Sequence, residues 1–296
     1  MILTSSRLGA VRRSRRTRSE WWLAAPAVVS VLILVAVPVA FLLQYSTRTG
    51  IAGDFAGVEN FTRTAADPYY YRVILTSLAV AFCTAVLCAI ASYPVALMVT
   101  RASRRVKPVL ILLCIFPLLA GTVVRSIGWM AILGYSGPVS KLFMAIGLTD
   151  GEENLAQNPV AVTGVLATIL APIMIILLHA SLEDINKDTI RASESLGASR
   201  MRTFFRVILP QTSAALFSGV SLIFVLALNA YDTPKLIGGS RVPMISPAIY
   251  QAIMEQFDWP LGAVLTIGLL ASALVALGIG AAVFKRFFSA WREAVL

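Results

Sequence analysis

Side chains that could do chemistry are few in this sequence, and they gather in three places. A polar stretch, RASESLGASRMRTFFRVILP from Arg191 to Pro210, interrupts the apolar second half of the chain. A single arginine, Arg125, stands inside an apolar run. Acidic and aromatic residues collect between the last two apolar runs; they are Asn229, Tyr231, Asp232, Glu255, Asp258 and Trp259.

These groups do not assemble a catalytic centre. The one histidine, His179, ends an apolar run beside a charged segment, where an imidazole is typical of a membrane interface. The three cysteines, Cys83, Cys88 and Cys114, lie in apolar runs without the spacing of a metal site, so they are interpreted as small buried hydrophobes. No G-x-x-x-x-G-K-S/T string is present to cradle nucleotide phosphates. We therefore expect a protein without a covalent reaction of its own.

The composition indicates an integral membrane protein. Of the 296 residues, 58% are hydrophobic and only 14% are charged, and the mean hydropathy is +0.80. Since about 20 apolar residues cross a bilayer as a helix, the sequence predicts an all-α fold with six transmembrane helices. The predicted spans are Trp21–Leu43, Val73–Thr100, Val109–Leu133, Val160–Ala180, Ser213–Ala230 and Leu261–Phe284. The first run is too long for a removed signal peptide and is expected to stay as an anchor.

The basic residues predict that both termini are cytoplasmic. Most of the 25 Lys and Arg residues lie in four segments that alternate with the spans, which explains the net charge of +10 as topology rather than as a nucleic-acid surface. The predicted layout is a cytoplasmic tail at 1–20, a six-helix transmembrane domain at 21–286 with a cytoplasmic loop at 181–212, and a cytoplasmic tail at 287–296. The basic residues of the four segments are Arg7, Arg12, Arg13, Arg15, Arg16 and Arg18; Arg101, Arg104, Arg105 and Lys107; Lys187, Arg191, Arg200, Arg202 and Arg206; and Lys285, Arg286 and Arg292.

The outer connections carry most of the acid, including Asp150, Glu152 and Glu153. One of them contains SPAIYQAIMEQF, in which Ser246 is predicted to cap a helix with Pro247 at its first position. A stripe of Ile249, Ala252, Ile253 and Gln256 predicts a short helix lying at the outer interface.

The polar stretch reads as two short helices joined at a bend. Asn186 or Asp188 is expected to cap the first, Gly197 to interrupt it, and Ser199 to cap the second. Met201, Phe204, Phe205 and Ile208 share a face of the second helix, and Pro210 is expected to end it before the fifth span. The residues alone leave two interpretations open: an amphipathic connector on the lipid surface, or a docking site for a cytoplasmic partner.

The spacing of this stretch resembles the cytoplasmic EAA loop in the membrane subunits of binding-protein-dependent ABC importers. Gly197 is followed by nine residues and then by Val207, Ile208, Leu209 and Pro210. Where the family has Glu-Ala-Ala, this chain reads Arg191, Ala192, Ser193, so a cation replaces the acidic residue. The resemblance implies a type I ABC importer permease fold and ATPase coupling through Arg191, Ala192, Ser193, Gly197, Ser199, Phe204, Phe205, Leu209 and Pro210.

Further segments resemble the spermidine/putrescine-type branch of these permeases: VVRSIGWMAILG from Val123, NAYDTPKLIGG from Asn229, and DWPLGA from Asp258. The resemblance implies import of a polyamine; branches for iron, thiamine, opines and amino-acid-like solutes share parts of these segments and stay as alternatives. It also implies a multi-pass protein of the inner membrane, surrounded by lipid. The implied partners are a second related permease subunit, two cytoplasmic ATPases that bind ATP and Mg²⁺, and an extracytoplasmic solute-binding protein.

A secondary transporter or channel is the alternative from another class of protein. Such proteins need an intramembrane relay of ionisable residues or a selectivity filter. Arg125 is the one clear charge in a predicted span, so a relay is hard to build. Arg125 is expected either to snorkel or face the bundle near the outer third of its span, or to line a path. The candidate path residues are Arg125, Trp129, Asn229, Tyr231, Asp232, Glu255, Asp258 and Trp259, where carboxylates and rings suit a polyamine; solvated loop charge is the alternative for each acid.

Overall fold

The computed structural model describes residues 20–50, 53–147 and 154–295, with side chains described for 25–50, 53–147 and 154–286. Within these ranges the chain is almost entirely helical, and an isolated β-bridge joins Arg48 to Phe55. Several predicted charges lie outside the described residues: Arg7, Arg12, Arg13, Arg15, Arg16, Arg18, Asp150, Glu152, Glu153 and the side chain of Arg292.

The described part of the chain forms α-helices interrupted by three π-helical turns. The α-helices are α1 (Glu20–Ser46), α2 (Glu59–Ala66), α3 (Pro68–Arg101), α4 (Lys107–Leu119), α5 (Thr122–Leu133), α6 (Pro138–Ala145), α7 (Pro159–Glu183), α8 (Lys187–Ser195), α9 (Arg200–Thr203), α10 (Leu209–Leu228), α11 (Ile245–Tyr250) and α12 (Trp259–Val295). The π-turns are Phe204–Ile208, Pro234–Gly238 and Gln251–Glu255. Five described helices are long and apolar enough to cross a membrane, and the bent α4–α5 pair brings the number to six if it counts as one span.

The core is built where α3 packs along α7, which is the most extensive helix pair of the described chain. Small residues at helical spacing on α3, among them Ala81, Ala85 and Cys88, are fully buried. Small side chains let two helix backbones approach closely, and in a bilayer this packing rather than water exclusion holds helices together. Met174 and Leu178 of α7 fill the other side of the contact and are also fully buried.

Helix α10 completes the core by packing on both α3 and α7. Gly219 makes this approach possible, because a Cβ at that position would lie 2.5 Å from the Met174 Sδ atom. In contrast, α1 packs mainly along α12, and its apolar side chains are largely exposed. Exposed apolar side chains on a spanning helix suit contact with lipid, as the predicted anchor requires.

The third apolar run is not the straight span Val109–Leu133 that the sequence predicted. It divides into α4 and α5, which are bent by 92°. The cause is local, since Pro117 lacks the N–H that would bond to the preceding turn. Ala120 then adopts an extended conformation with ψ of 130°, and its N–H bonds to the Pro117 carbonyl, which ends α4. A hydropathy profile averages over many residues and therefore does not show such a break.

The helix predicted at the outer interface also differs. Helix α11 begins after Met244 rather than at Ser246, whose hydroxyl donates to the Leu228 carbonyl at 3.1 Å. Ile245 and Ala252 are buried, and the Ile245 N–H donates to Ser77 Oγ at 2.8 Å. The buried side of the segment packs against α3 and α12, whereas Tyr250 and Met254 on its other side stay exposed. Its place at the outer interface stays a prediction.

The predicted burial of the three cysteines is confirmed only in part. Cys88 is buried as predicted, but Cys114 is half-buried and Cys83 lies exposed on the outer side of α3. The His179 side chain is buried at the end of α7, and its Nδ1 atom lies 2.8 Å from Thr100 Oγ1. The described residues contain no cluster of His, Cys, Asp or Glu suited to a metal ion.

Candidate functional site

The Leu182–Pro210 loop begins with the cap that the sequence predicted. Asn186 stands before α8, and its side-chain oxygen accepts from the Asp188 N–H at 2.9 Å. Helix α8 ends at Ser195, and Gly197, two residues further on, has a φ of +77°. The Gly197 N–H bonds to the Glu194 carbonyl at 2.9 Å and closes the last turn. A left-handed residue at this point reverses the chain, so the predicted bend at Gly197 is confirmed.

The second short helix, α9, is tied to α8 by hydroxyl groups. Ser199 precedes α9 and accepts from the Arg202 N–H at 3.4 Å, as predicted for its cap. Ser193 Oγ lies 3.0 Å from Thr203 Oγ1, and Thr203 is buried. This hydrogen bond fixes the two helices relative to each other, so a displacement of α8 is transmitted to α9.

Pro210 does not end the second helix, and this prediction was wrong. The helix continues from Arg200 to Leu228 through the π-turn Phe204–Ile208. In that turn the Leu209 N–H bonds to the Phe204 carbonyl, five residues back. The wider turn accommodates the residue that has no N–H to donate, and such π-turns are frequent at functional sites. The loop is thus rigidly continuous with the fifth span.

The predicted face of Met201, Phe204, Phe205 and Ile208 is split between two environments. Phe204 packs edge to face on Tyr93 of α3, with ring centroids 5.2 Å apart, and Ile208 is buried. Met201 is 67% exposed and Phe205 is 51% exposed. Phe204, which the sequence proposed as a docking anchor, belongs to the permease bundle, whereas Phe205 remains accessible. Consecutive residues of a helix point about 100° apart, so Phe204 can face the bundle while its neighbour Phe205 does not.

The outer surface of the loop is exposed and carries the unusual arginine. Leu196 is 88% exposed at the bend. Arg191 and Ala192 are exposed on α8, while Ser193 is half-buried against α9. Arg191 Nη1 lies 3.4 Å from Asp188 Oδ1 one turn earlier, and both side chains are mostly exposed. Arg191 is therefore available to a partner and is only weakly held by its own helix.

Beyond the fifth span, Asp232 is bound to the start of α5. The Thr122 hydroxyl donates to Asp232 Oδ2 at 2.5 Å. Ser126 Oγ lies 2.9 Å from Thr233 Oγ1, one helical turn further along α5, and both residues are buried. The carboxylate sits at the N-terminus of α5, where the helix dipole favours a negative charge. Sequence reasoning missed Thr122 and Ser126, although their spacing of four residues places both on one helical face.

An aromatic pair accompanies this carboxylate. The rings of Tyr231 and Tyr250 are 4.7 Å apart and both are partly accessible. Burial raises the pKa of the Tyr231 hydroxyl above its ordinary value, so it stays neutral and able to donate a hydrogen bond at physiological pH. The pair Tyr231 and Asp232 forms, with Tyr250, what we call the mouth cluster.

The other predicted path residues serve separate contacts. Glu255 Oε1 lies 3.1 Å from Lys235 Nζ, and this hydrogen bond raises the pKa of Lys235. Asp258 caps α12 by accepting from the Leu261 N–H at 3.0 Å, and the Trp259 ring lies 5.9 Å from Tyr45 of α1. The Asn229 side chain donates to its own helix at Val225. The structure therefore does not gather all the predicted path residues at one point.

Arg125 faces the bundle rather than the outer interface. Its Nη1 donates to the Ile169 carbonyl at 3.0 Å, about halfway along α7, and its Nε is buried without a partner. Pro172 lies three residues beyond Ile169 and weakens the local hydrogen bonding of α7. Arg125 thus faces the bundle, which is one of the predicted alternatives, and its depth in the membrane stays a prediction. Trp129, one turn further along α5, is half-buried and packs against the core.

Comparison with known proteins decides the family. Residues 93–289 match the family described as the inner membrane component of binding-protein-dependent transport systems. The chain belongs to this family. The matched segment includes α8, α9, the π-turns and the mouth cluster. The protein is accordingly a multi-pass protein of the inner membrane.

Individual relatives place this family member near one branch. The chain is 31% identical over 212 residues to the spermidine/putrescine transport system permease protein PotB of Escherichia coli K12, covering 72% of this chain and 77% of the relative. It is 27% identical to PotB of Haemophilus influenzae, over 80% of this chain and 84% of the relative. The resemblance to the spermidine/putrescine-type branch is thereby confirmed.

A more distant relative and a solved structure complete the comparison. The putative ferric transport permease FbpB 1 of Haemophilus influenzae is 26% identical over 84% of this chain, which spans only 40% of that relative. The crystal structure of a bacterial alginate ABC transporter, solved in complex with an alginate pentasaccharide-bound periplasmic protein, includes a chain that superposes with a TM-score of 0.73. The superposition covers 91% of this chain and 96% of that one, at 17% identity. At that identity the likeness establishes the fold.

Proposed function

We propose that this chain is a translocation subunit of an ABC importer for polyamines such as spermidine and putrescine. The observation that carries the proposal is the pair of PotB relatives, which match 72% and 80% of the chain. The ferric relative supports the proposal for iron less well, because the match covers only 40% of that relative's length.

In this proposal the chain has six spans, with α4 and α5 together forming the third, and both termini lie in the cytoplasm. It assembles with a second, related permease subunit, two cytoplasmic ATPases and an extracytoplasmic solute-binding protein. ATP and Mg²⁺ are bound by the ATPases, and this chain makes and breaks no covalent bond. The absence of a phosphate-cradling lysine loop from its sequence supports that division of labour.

Coupling would run from the exposed surface of α8 into the spans. An ATPase groove takes Arg191, Leu196 and Phe205, which are all exposed. Its movement is transmitted by the Ser193–Thr203 hydrogen bond to α9 and then through the continuous helix to α10. The spans would thereby switch between two packings that open the path on opposite sides. An arginine in place of the family's acidic residue suits a neutral or acidic groove.

The mouth cluster would receive the cation at the outer side. A polyamine ammonium leaving water needs a carboxylate and aromatic faces, which Asp232, Tyr231 and Tyr250 place together. Arg125 lies deeper against α7 and repels a cation that moves toward it. A cargo with spaced ammonium groups would then pass Arg125 only when the packing of α5 and α7 changes, which links passage to the ATPase cycle.

Reconstitution tests the proposal directly. The tagged full-length chain is purified from its native cells with its bound subunits and placed in vesicles together with its binding protein. We expect ATP-dependent uptake of radiolabelled putrescine or spermidine and none without ATP. Uptake of ferric iron but not of polyamines would overturn the cargo assignment. Gradient-driven uptake by the chain alone, without an ATPase, would instead favour a secondary transporter.

A further inference from the structure

A polar cleft lies beneath the Leu182–Pro210 loop, on the side that faces the spans. Its volume is about 840 Å³, and its walls come from the ends of α3 and α7, the start of α4, and the inner sides of α8 and α9. The charged residues that line it are Arg101, Lys107, Glu183, Lys187, Glu194 and Arg200. Each of the four cations is contributed by a different helix, so the fold converges them on one space.

The charges of this cleft do not cancel. Lys107 is paired with Glu183, which leaves Glu194 as the remaining carboxylate of the lining. Arg101, Lys187 and Arg200 form no ion pair with any residue in the described ranges. The lining therefore has a net excess of two positive charges, and a concave surface with low-dielectric walls concentrates that field. An anion is the ligand that this arrangement favours.

The floor of the cleft is apolar and lies at the end of the spans. Leu97, Leu182 and Ile208 form part of it, and Leu182 and Ile208 are buried. Helix α3 ends at Arg101 and α7 ends at Glu183, so the cations stand at the level where a spanning helix meets lipid headgroups. Polar walls over an apolar floor suit a ligand that is itself charged at one end and apolar at the other.

Helix α8 presents different residues to this cleft and to the outside. Lys187, Ile190 and Glu194, spaced by three and four residues, line the cleft. Asp188 and Arg191 lie on the exposed surface. A ligand in the cleft would therefore touch the same helix that an ATPase touches from the other side, without competing for the same side chains.

We propose that this cleft binds the phosphate group of an anionic phospholipid and that the bound lipid sets the resting position of α8. The phosphate lies among Arg101, Lys187 and Arg200, and the glycerol and upper acyl carbons lie on the Leu97 and Ile208 floor. The proposal rests on the proposed function only in placing the loop on the cytoplasmic side. The composition of the inner leaflet then regulates how readily the loop moves.

Lipid binding to the purified full-length chain tests this assignment. The chain in neutral detergent is titrated with phosphatidylglycerol, and bound lipid is counted by native mass spectrometry. Substitution of Arg101→Gln with Arg200→Gln should weaken binding at least about tenfold, because charge-assisted hydrogen bonds to a phosphate are lost. The matched control is Arg202→Gln with Arg206→Gln, which removes two exposed arginines of the same loop that do not line the cleft. The control should bind within about twofold of the parent chain.

The outcomes separate the possible sources of the phosphate. If phosphatidylcholine bound as well as phosphatidylglycerol, the claim that the cleft selects an anionic lipid would be refuted. If inorganic phosphate alone, at the same concentration, protected the chain against thermal unfolding, the claim that the ligand is a lipid would be refuted. If the Arg101/Arg200 variant bound phosphatidylglycerol as tightly as the parent chain, the assignment of the lipid to this cleft would be refuted. The single substitution Lys187→Gln, on an exposed side chain, serves if the double variant fails to fold, and it should weaken binding about threefold or more. No ATPase is present in this assay, so its failure leaves the proposed function untouched.

Discussion

Phe204 at the start of the π-turn packs edge to face on Tyr93 of α3, with ring centroids 5.2 Å apart and planes at 87°. The Tyr93 hydroxyl lies 2.6 Å from Thr212 Oγ1 on α10, so one tyrosine contacts both the loop and the fifth span. Aromatic edge-to-face pairs add about 0.5–1.5 kcal/mol beyond the area that they bury. The loop is thereby fastened to the helix pair that forms the core.

This contact distinguishes two neighbouring phenylalanines. Phe204→Ala should lower the free energy of unfolding by about 2–3 kcal/mol, because a packed ring is removed from Tyr93. Phe205→Ala should change it by only about 0.5–1 kcal/mol, since that ring is half exposed and packs mainly edge to face on Phe204 at 5.0 Å, but should weaken ATPase association in pull-down assays. Thermal unfolding of the two variants in detergent measures the first effect. Equal destabilisation by both would contradict the split face.

Gly197 is the residue at which a side chain is least compatible with the loop. A β-branched residue in its left-handed conformation costs about 1–2 kcal/mol or more, so Gly197→Val should shift the bend and misplace α8. The subunit should still insert, while ATP hydrolysis by the assembled complex loses its dependence on transport. Gly128→Ala is the control, because a Cβ there meets nothing within 4 Å. Full coupling in the valine variant would refute the importance of the bend.

Gly219 has a steric role instead. Gly219→Val should loosen the packing of α10 on α7 and lower the unfolding temperature, because its Cβ would meet Met174 Sδ at 2.5 Å. Adding Met174→Ala should recover part of the loss by vacating the space. A double variant no more stable than the single one would show that the clash lies elsewhere. The two variants are compared by thermal unfolding in the same detergent.

Asp232 is the most direct probe of the mouth cluster. Asp232→Asn keeps the shape and can still accept a hydrogen bond from Thr122, but it removes the negative charge. Uptake of spermidine should fall about tenfold or more at low concentration, while the complex still assembles. Thr122→Val is the companion variant, since it releases the carboxylate without neutralising it, and it should have a smaller effect. Unchanged uptake kinetics for Asp232→Asn would remove this residue from the path.

The Lys235–Glu255 ion pair should contribute little to stability. Both side chains are nearly half exposed, so a double-mutant cycle with Lys235→Gln and Glu255→Gln should give a coupling below about 1 kcal/mol that shrinks with salt. The folded-state pKa of Lys235 is raised, so its contribution is complete at neutral pH. It is lost only as the pH rises through that raised pKa. A coupling that vanished near pH 7 would contradict the assignment.

Local signals explain which features were predictable. Asn186, Gly197 and Ser199 act through hydrogen bonds and backbone angles within a few residues, and all three were located from the sequence. Pro210 and Ser246 obey the same local rules, yet both predictions failed. The π-turn Phe204–Ile208 lets the helix continue through Pro210. The Ser246 hydroxyl donates to the Leu228 carbonyl instead of capping α11. Local rules set what a residue prefers, and tertiary contacts decide whether the preference is used.

The remaining errors concern contacts between distant parts of the chain. Thr122 and Asp232 are 110 residues apart, and a single sequence gives no information about their meeting. Arg125 and Ile169 are 44 residues apart, and their hydrogen bond follows a 92° bend that a hydropathy profile does not show. The spans were predictable because burial in lipid is a property of composition, whereas the mouth cluster required the fold.

The π-turn at Phe204–Ile208 also sets the angle by which the fifth span is rotated about its axis relative to the loop. Each residue of an α-helix advances by about 100°, so one additional residue in a turn rotates everything beyond it by that angle. The loop can hold Phe204 against Tyr93 while Ile223 and Ala227 still face the core. Relaxation of this turn to α-helical geometry would rotate α10 relative to the loop, so in the proposed coupling a displacement of the loop would turn the fifth span about its axis as well as push it along that axis.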